Sequence, residues 1–216
     1  MTRDQFQQDL EKLKGFVIEM GQLSHNSIVD SIQVLRSQDS KLAEKIFQGD
    51  EAIDEYELKI EKCATQLIAR QNPTAGDMRL VISCFKIAID LERMSDLAVD
   101  IGNVAKCMQR KDTEPLGNIL RMAELCEEML QQAVKAFETL DKELAYDTAL
   151  KDDEIDRLFY ETQSLLIEMM IGDKEFITNA SHLLLVLRYL ERCGDHACNI
   201  CESIVYIAAG QRVDLN

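Results

Sequence analysis

Apolar residues recur along this chain at helical spacing. Ile46, Ile53, Ile60 and Leu67 fall every seven residues, which keeps one apolar stripe on a long helix and suits packing in a bundle. No run alternates strictly between apolar and polar residues, so no strand is predicted. Breakers are scarce, with 2 Pro and 9 Gly in 216 residues, and Pro and Gly are the main punctuators of regular structure. The pattern predicts six helices. The first covers 3–37, the second 39–71 and the third 75–110. The second must stop before Asn72-Pro73, because proline removes a donor and disfavours helix in the residue ahead of it. A linker, Lys111-Asp112-Thr113-Glu114-Pro115-Leu116-Gly117, follows. The fourth helix covers 117–139 and the fifth 141–171, ended by Gly172-Asp173; the sixth ends near Gly210.

The chain repeats itself. Asp50-Glu-Ala-Ile-Asp54 has a counterpart in Asp152-Asp-Glu-Ile-Asp156, at an offset of 102. Asp90-Leu-Glu-Arg-Met-Ser-Asp-Leu-Ala-Val-Asp-Ile101 lines up with Tyr189-Leu-Glu-Arg-Cys-Gly-Asp-His-Ala-Cys-Asn-Ile200 at an offset of 99, with six of twelve positions identical. The duplication is domain-sized rather than a short solenoid period. The expected fold is therefore all-α, with two tandem antiparallel three-helix bundles over residues 1–112 and 117–211.

Charge narrows the partners. With 39 acidic against 24 basic residues, the net charge is −15. A nucleic-acid backbone is repelled, and an anionic membrane surface is disfavoured. Cations and basic protein surfaces suit such a field. The N-terminal MTRDQFQQDLEKLK has no apolar core of signal-peptide length, and Leu183-Leu184-Leu185-Val186-Leu187 is far too short to span a bilayer. A cytoplasmic protein without membrane insertion is expected. Seven scattered Cys are expected to be reduced thiols.

Each half carries two acid-x-x-x-Asp motifs: Asp50/Asp54 and Glu92/Asp96 in the first, Asp152/Asp156 and Glu191/Asp195 in the second. Residues four apart share one helix face, with Cβ atoms about 5–6 Å apart, so both side chains can reach one ion. The rows continue to Asp100 and Asn103, and to Asn199 and Glu202. Like charges at this spacing repel by about 0.2–0.5 kcal/mol, and a bound cation reverses that sign. Val81, Phe85 and Ala88 precede Glu92 and Asp96 on the same face, so an apolar stripe turns acidic. Buried carboxylates need compensation, of which Arg93 and Arg192 can supply only part. The pattern leaves two readings open: a cation site of oxygen ligands suited to magnesium or manganese, with iron possible, or acidic rows that are simply solvated.

At Arg70-Gln-Asn-Pro-Thr-Ala-Gly-Asp-Met-Arg79, at the paired Leu-Glu-Arg-x-x-Asp signatures ending in Asp96 and Asp195, and at Val205-Tyr206-Ile-Ala-Ala-Gly210, the sequence resembles the PhoU family over nearly its whole length. That resemblance implies a six-helix, two-bundle regulator of the phosphate-specific ABC transporter. Its partners would be the transporter's ATPase subunit and a sensor histidine kinase. It also implies a homodimer and divalent or trivalent metal ions (iron, manganese, magnesium or zinc) on Asp50, Asp54, Glu92, Asp96, Asp100, Asp152, Asp156, Glu191, Asp195 and Asn199. Ser95 and Asp100 in the first copy stand against Gly194 and Asn199 in the second, so the two sites are expected to differ.

Other chemistry is thin. Cys198-x-x-Cys201 has the spacing of a redox or zinc motif, but Cys193, Cys198 and Cys201 align with Met94, Val99 and Gly102, which favours packing. His25, His182 and His196 align with Glu127, Ser83 and Leu97, so none is a shared ligand, although His196 lies beside Asp195. Arg79 and Lys86 have no basic counterpart and are expected to be solvated or ion-paired. A carboxylate di-metal enzyme of the bundle type uses Glu-x-x-His motifs, and no Glu precedes any of the three His by three residues. No nucleophile–base set or phosphate loop is visible, so no catalysis is predicted. A metal-free helical adaptor is the remaining alternative.

Overall fold

The computed structural model describes residues 3–70, 73–108 and 114–216. Its order is α1 (Arg3–Ser37), α2 (Ser40–Arg70), α3 (Ala75–Cys107), α4 (Glu114–Thr139), α5 (Lys142–Ala149), α6 (Asp152–Gly172), a 3₁₀ turn (Lys174–Phe176) and α7 (Ile177–Ala209). No strand occurs among the described residues. The all-α expectation holds, as one bundle of α1, α2 and α3 beside another of α4, α5–α6 and α7.

Local chemistry sets the helix ends. Asp39 accepts from the backbone N–H groups of Lys41 (2.9 Å) and Leu42 (3.4 Å) and so starts α2. Thr74 and Asp77 form a reciprocal capping box at α3, which satisfies two otherwise orphaned donors. Asp141 caps α5 through the N–H groups of Glu143 and Leu144. Gly210, at φ 71°, ends α7 in the left-handed region, where a residue without Cβ carries no steric penalty.

Three boundaries differ from the sequence-based prediction. Helix α4 begins at Glu114 rather than residue 117, with Pro115 in its first turn, where its missing N–H is no loss. The single helix expected over 141–171 is two, broken at Leu150-Lys151. The Thr148 hydroxyl donates back to the Leu144 carbonyl (2.6 Å), and Lys151 reaches out to Glu128 (2.7 Å). Lys151 N–H then bonds three residues back to Thr148, closing α5 and letting Asp152 open α6. Helix α3 ends at Cys107, with Met108 extended as its cap. Its expected end at Arg110, the residue Gln71 and the linker residues 111–113 lie outside the described residues.

The bundles meet along two seams, α3 against α7 and α1 against α4. Helices α3 and α7 are buried on most of their surface: Val81, Ile87, Leu91, Met94, Leu97 and Ile101 are core, as are Leu183, Leu187, Leu190, Ile200 and Ile204. Leu97 and Ile101, off the face that carries Glu92 and Asp96, thus also pack inward, because a central helix has neighbours on several sides. At the α1–α4 seam, His25 lies 3.7 Å from Glu127. These two residues occupy equivalent positions in the two copies, as they would across a pseudo-twofold axis. Gly21 allows the close approach there: a Cβ at this position would fall 2.6 Å from Val134 Cγ2.

Candidate metal centre

In each bundle the two acidic motifs come together from neighbouring helices. Asp50 and Asp54 lie on α2 and face Glu92 and Asp96 on α3. Asp152 and Asp156, in the first turns of α6, face Glu191 and Asp195 on α7. Burial is the main cause that pushes the Glu92 carboxyl up to about 7, and Asp96 adds to it. Burial, then Asp156 and Asp195, push Asp152 up to about 7. Asp50, Asp156 and Glu191 are raised in the same direction, again chiefly by burial. Withdrawal from water and crowding of like charge both disfavour ionised carboxylates, so each cluster is a place where a cation would be favoured.

The clusters differ in detail. In the first, the Ser95 hydroxyl donates to Asp50 Oδ1 (2.5 Å), and Arg93 bridges Glu92 (3.4 Å) and Asp96 (3.0 Å). In the second, Arg188 pairs with Glu191 (2.5 Å), and Asn216 donates to Asp195 (2.9 Å). Compensation for Glu191 therefore comes from Arg188 rather than from Arg192. Asp152 is only 5% exposed, and its Oδ1 has no hydrogen-bond partner; Glu191 Oε2 is also buried without one. Gly194 makes room for this, since a Cβ there would fall 2.2 Å from Asp152 Oδ1. At the equivalent position the first copy spends its Ser95 hydroxyl on Asp50.

A divalent cation suits the second cluster's unsatisfied oxygens and its all-carboxylate motif, and Asp152, Asp156, Glu191 and Asp195 are the residues that would hold it. Among the described residues, no three His, Cys, Asp or Glu side chains stand at metal-holding distances. Loading would therefore draw the carboxylates inward from their Arg and Asn partners.

Asp100 and Asn199 are not gathered with the four acids. Both are exposed and lie along the α3–α7 seam. Asp100 is raised by burial and by Asp96, and Arg192 on the opposite bundle lowers it. Asn199 donates to Asp90 (3.3 Å), and His196 Nδ1 lies 3.0 Å from the same Asp90 oxygen. Asp90 thus ties the two bundles together, and alignment of the copies hid it because its counterpart is Tyr189. Glu57, also unforeseen, joins the first cluster, raised chiefly by burial and next by Asp54. Its position three residues after Asp54 on one helix face was the available signal. Replacing Asp90 by Ala is expected to lower unfolding stability by about 1–3 kcal/mol, the scale for orphaning buried polar partners, read by urea denaturation. An unchanged midpoint would show the seam to be held by apolar packing alone.

Arg79, expected to be solvated or ion-paired, is half-buried: its Nε has no partner, and its guanidinium packs under Gly210. All seven Cys are free, and five are buried. No described helix is long and apolar enough to cross a membrane.

Comparison with known proteins agrees with this geometry. The chain matches the PhoU domain twice, over residues 17–105 and 119–204. It is 35% identical to a phosphate-specific transport system accessory protein PhoU homolog of Clostridium acetobutylicum, over 100% of both chains. It is 32% identical to the homolog of the same name from Pseudomonas aeruginosa, covering 97% of this chain and 87% of that one. The crystal structure of PhoU from Pseudomonas aeruginosa superposes with a TM-score of 0.91 at 31% identity, over 95% of this chain and 100% of the other. That of the phosphate transport system regulatory protein PhoU from Streptococcus pneumoniae gives 0.90 at 31%, over 97% and 99%. These relatives are named as accessory and regulatory proteins rather than enzymes. The duplicated bundle, the paired acidic motifs at equivalent positions of both copies, and full-length likeness at this level together make the chain a member of the PhoU family.

Proposed function

We propose that this protein is an accessory regulator of phosphate uptake that restrains the phosphate-specific ABC transporter and its sensor-kinase pathway through protein contacts, with a metal ion held by carboxylates in each bundle. The observation that carries the regulatory part is likeness to transport accessory proteins over the entire chain. Buried, unpartnered Asp152 Oδ1 and Glu191 Oε2 support the metal. A bound cation supplies positive charge that makes neighbouring carboxylates tolerable and locks α6 to α7, fixing the surface a partner reads. The same role falls to Asp50, Asp54, Glu92 and Asp96 between α2 and α3. The working form is a cytoplasmic homodimer whose partners are the transporter's ATPase subunit and the sensor histidine kinase.

The test is capture of the tagged chain from phosphate-replete and phosphate-starved cells, with elemental analysis of the captured protein. The ATPase subunit and kinase are expected in the capture, in amounts that change with phosphate, together with one or more metal ions per bundle. Asp152→Asn/Glu191→Gln is expected to lose the metal of the second bundle and weaken capture. Arg93, Ser95, Arg188 and Asn216 already satisfy part of the acidic clusters, which favours a second reading, a metal-free adaptor. Protein that purifies without metal and melts at the same temperature with added manganese, iron or zinc would establish that second reading.

A further inference from the structure

We propose that Cys198 is a ligand of the second cluster, making it a mixed oxygen–sulfur site for borderline-soft divalent ions such as zinc, cobalt or ferrous iron, while the first cluster remains an all-oxygen site for harder ions. The proposal rests on the metal-binding reading above and goes beyond it by separating the two sites.

Position comes first. Cys198 follows Asp195 by three residues on α7, so the two project from one side of that helix. Its sulfur is wholly buried, 3.9 Å from the Ala149 carbonyl and within hydrogen-bonding reach of the Asp152 carboxylate. Ala149 is the last residue of α5, so the break before α6 delivers Asp152 to the same spot. The Asp152 carboxylate lies beside the Cys198 thiol. It is 5% exposed with Oδ1 unpartnered. A buried acid with one unpartnered oxygen, a buried thiol against it and Asp195 one turn away supply the donor types of a mixed site, and a cation would have to draw them together, since no three stand at metal-holding distances among the described residues.

The two copies then differ in one direction. Where the second cluster has Cys198, the first has Val99. Where the first has Glu57, the second has Phe159. Where the second has Gly194, the first has Ser95, whose hydroxyl already occupies Asp50. The first cluster thus has the additional oxygen donors, and the second has a sulfur in their stead. Thiolate selects zinc and similar ions over manganese and magnesium, which prefer oxygen. On binding, the thiol proton leaves to solvent and the thiolate takes its place on the ion. The nearby Cys126 is a contrast: its thiol donates to the Leu190 carbonyl at 3.2 Å. Ser24 does the same to Leu91, at 3.1 Å, in the first copy, so Cys126 replaces a structural hydroxyl.

The experiment loads the full-length protein with cobalt(II), removes excess ion, counts bound cobalt and records the near-ultraviolet spectrum. The wild type is expected to show a sulfur-to-cobalt charge-transfer band. Cys198→Val, which installs the first copy's residue, is expected to lose the band and to weaken zinc binding by about tenfold or more, the scale found even for groups one step removed from a metal. Manganese bound by the first cluster is expected to be unaffected. Cys198→Ser repeats the measurement with the polar volume kept, and Cys126→Ser is expected to retain the band. Cobalt bound without the band, or a band unchanged in both Cys198 variants, would overturn the thiol ligand while leaving a carboxylate site standing. No bound cobalt, zinc or manganese would overturn the metal reading and this inference together.

Discussion

Asp152→Asn is expected to stabilise the metal-free protein at pH 8 by about 1–3 kcal/mol while abolishing the stabilisation that a divalent cation confers on the second bundle. The sign follows from the direction of the shift. Burial and the neighbouring acids raise Asp152 from 3.8 to about 7 in the fold. Below the lower value both states hold the proton and the group is neutral in its effect. Between the two values the folded state holds a proton that the unfolded state has released, so stability falls as pH rises, and above about 7 the full penalty applies. A shift of this size corresponds to roughly 4 kcal/mol unscreened, and the cluster's partial opening to water reduces that. Glu92, raised from 4.5 to about 7, acts in the same direction, with a smaller share because it is less withdrawn from solvent. Metal-free wild type is therefore expected to unfold at higher urea at pH 5 than at pH 8, and Asp152→Asn to flatten that difference. Manganese or zinc at pH 8 is expected to raise the wild-type midpoint, because ligand bound only to the folded state adds its binding free energy. If Asp152→Asn unfolded at lower urea than wild type at pH 8, this carboxylate would not be destabilising the metal-free fold.

Gly21→Val is expected to destabilise the protein by about 1–3 kcal/mol, because overpacking forces backbone shifts. The obstruction is specific. A Cβ on Gly21 would meet Val134 Cγ2 at 2.6 Å and Cγ1 at 3.4 Å, and valine is stiff at its first side-chain torsion. Relief by rotation is therefore small, and α1 and α4 must move apart. The loss arises despite the gain from removing a mid-helix glycine, about 0.5–1 kcal/mol for alanine and less for β-branched valine. Pairing Gly21→Val with Val134→Ala is expected to recover more than half of the loss. Urea denaturation of the four proteins measures the coupling directly. Additive losses in the pair would show that α1 and α4 do not meet at these two side chains. Since the α1–α4 contact joins the bundles, Gly21→Val should also loosen their relative placement, visible as faster amide exchange along α1 and α4 than along α2.

The candidate site was largely legible in sequence because it is built from helix-periodic pairs that occur twice. A four-residue spacing puts Glu92 with Asp96 on one face whatever the fold does next, and recurrence at Glu191 and Asp195 marks the pattern as shared. Residues that serve only one copy escaped that logic. Asp90 pairs with His196 across the seam, a contact 106 residues apart that no local spacing announces. Glu57 has an apolar counterpart in Phe159, and Cys198 was set against Val99 and read as packing. Each lies where the repeats diverge, so the internal control that picked out the shared acidic residues worked against them.

Sequence alone determined that this chain is helical, duplicated and acidic in matched places, because periodicity, breakers and charge act through near neighbours and need no knowledge of the fold. It could not say which carboxylate loses its water. That was decided by tertiary packing: the break after Ala149 lets α6 start at Asp152, and a residue without a side chain at 194 lets that acid sink against α7. Burial and close approach between distant segments set the local dielectric and the spare oxygens. Two clusters written in nearly the same residues thereby became different environments.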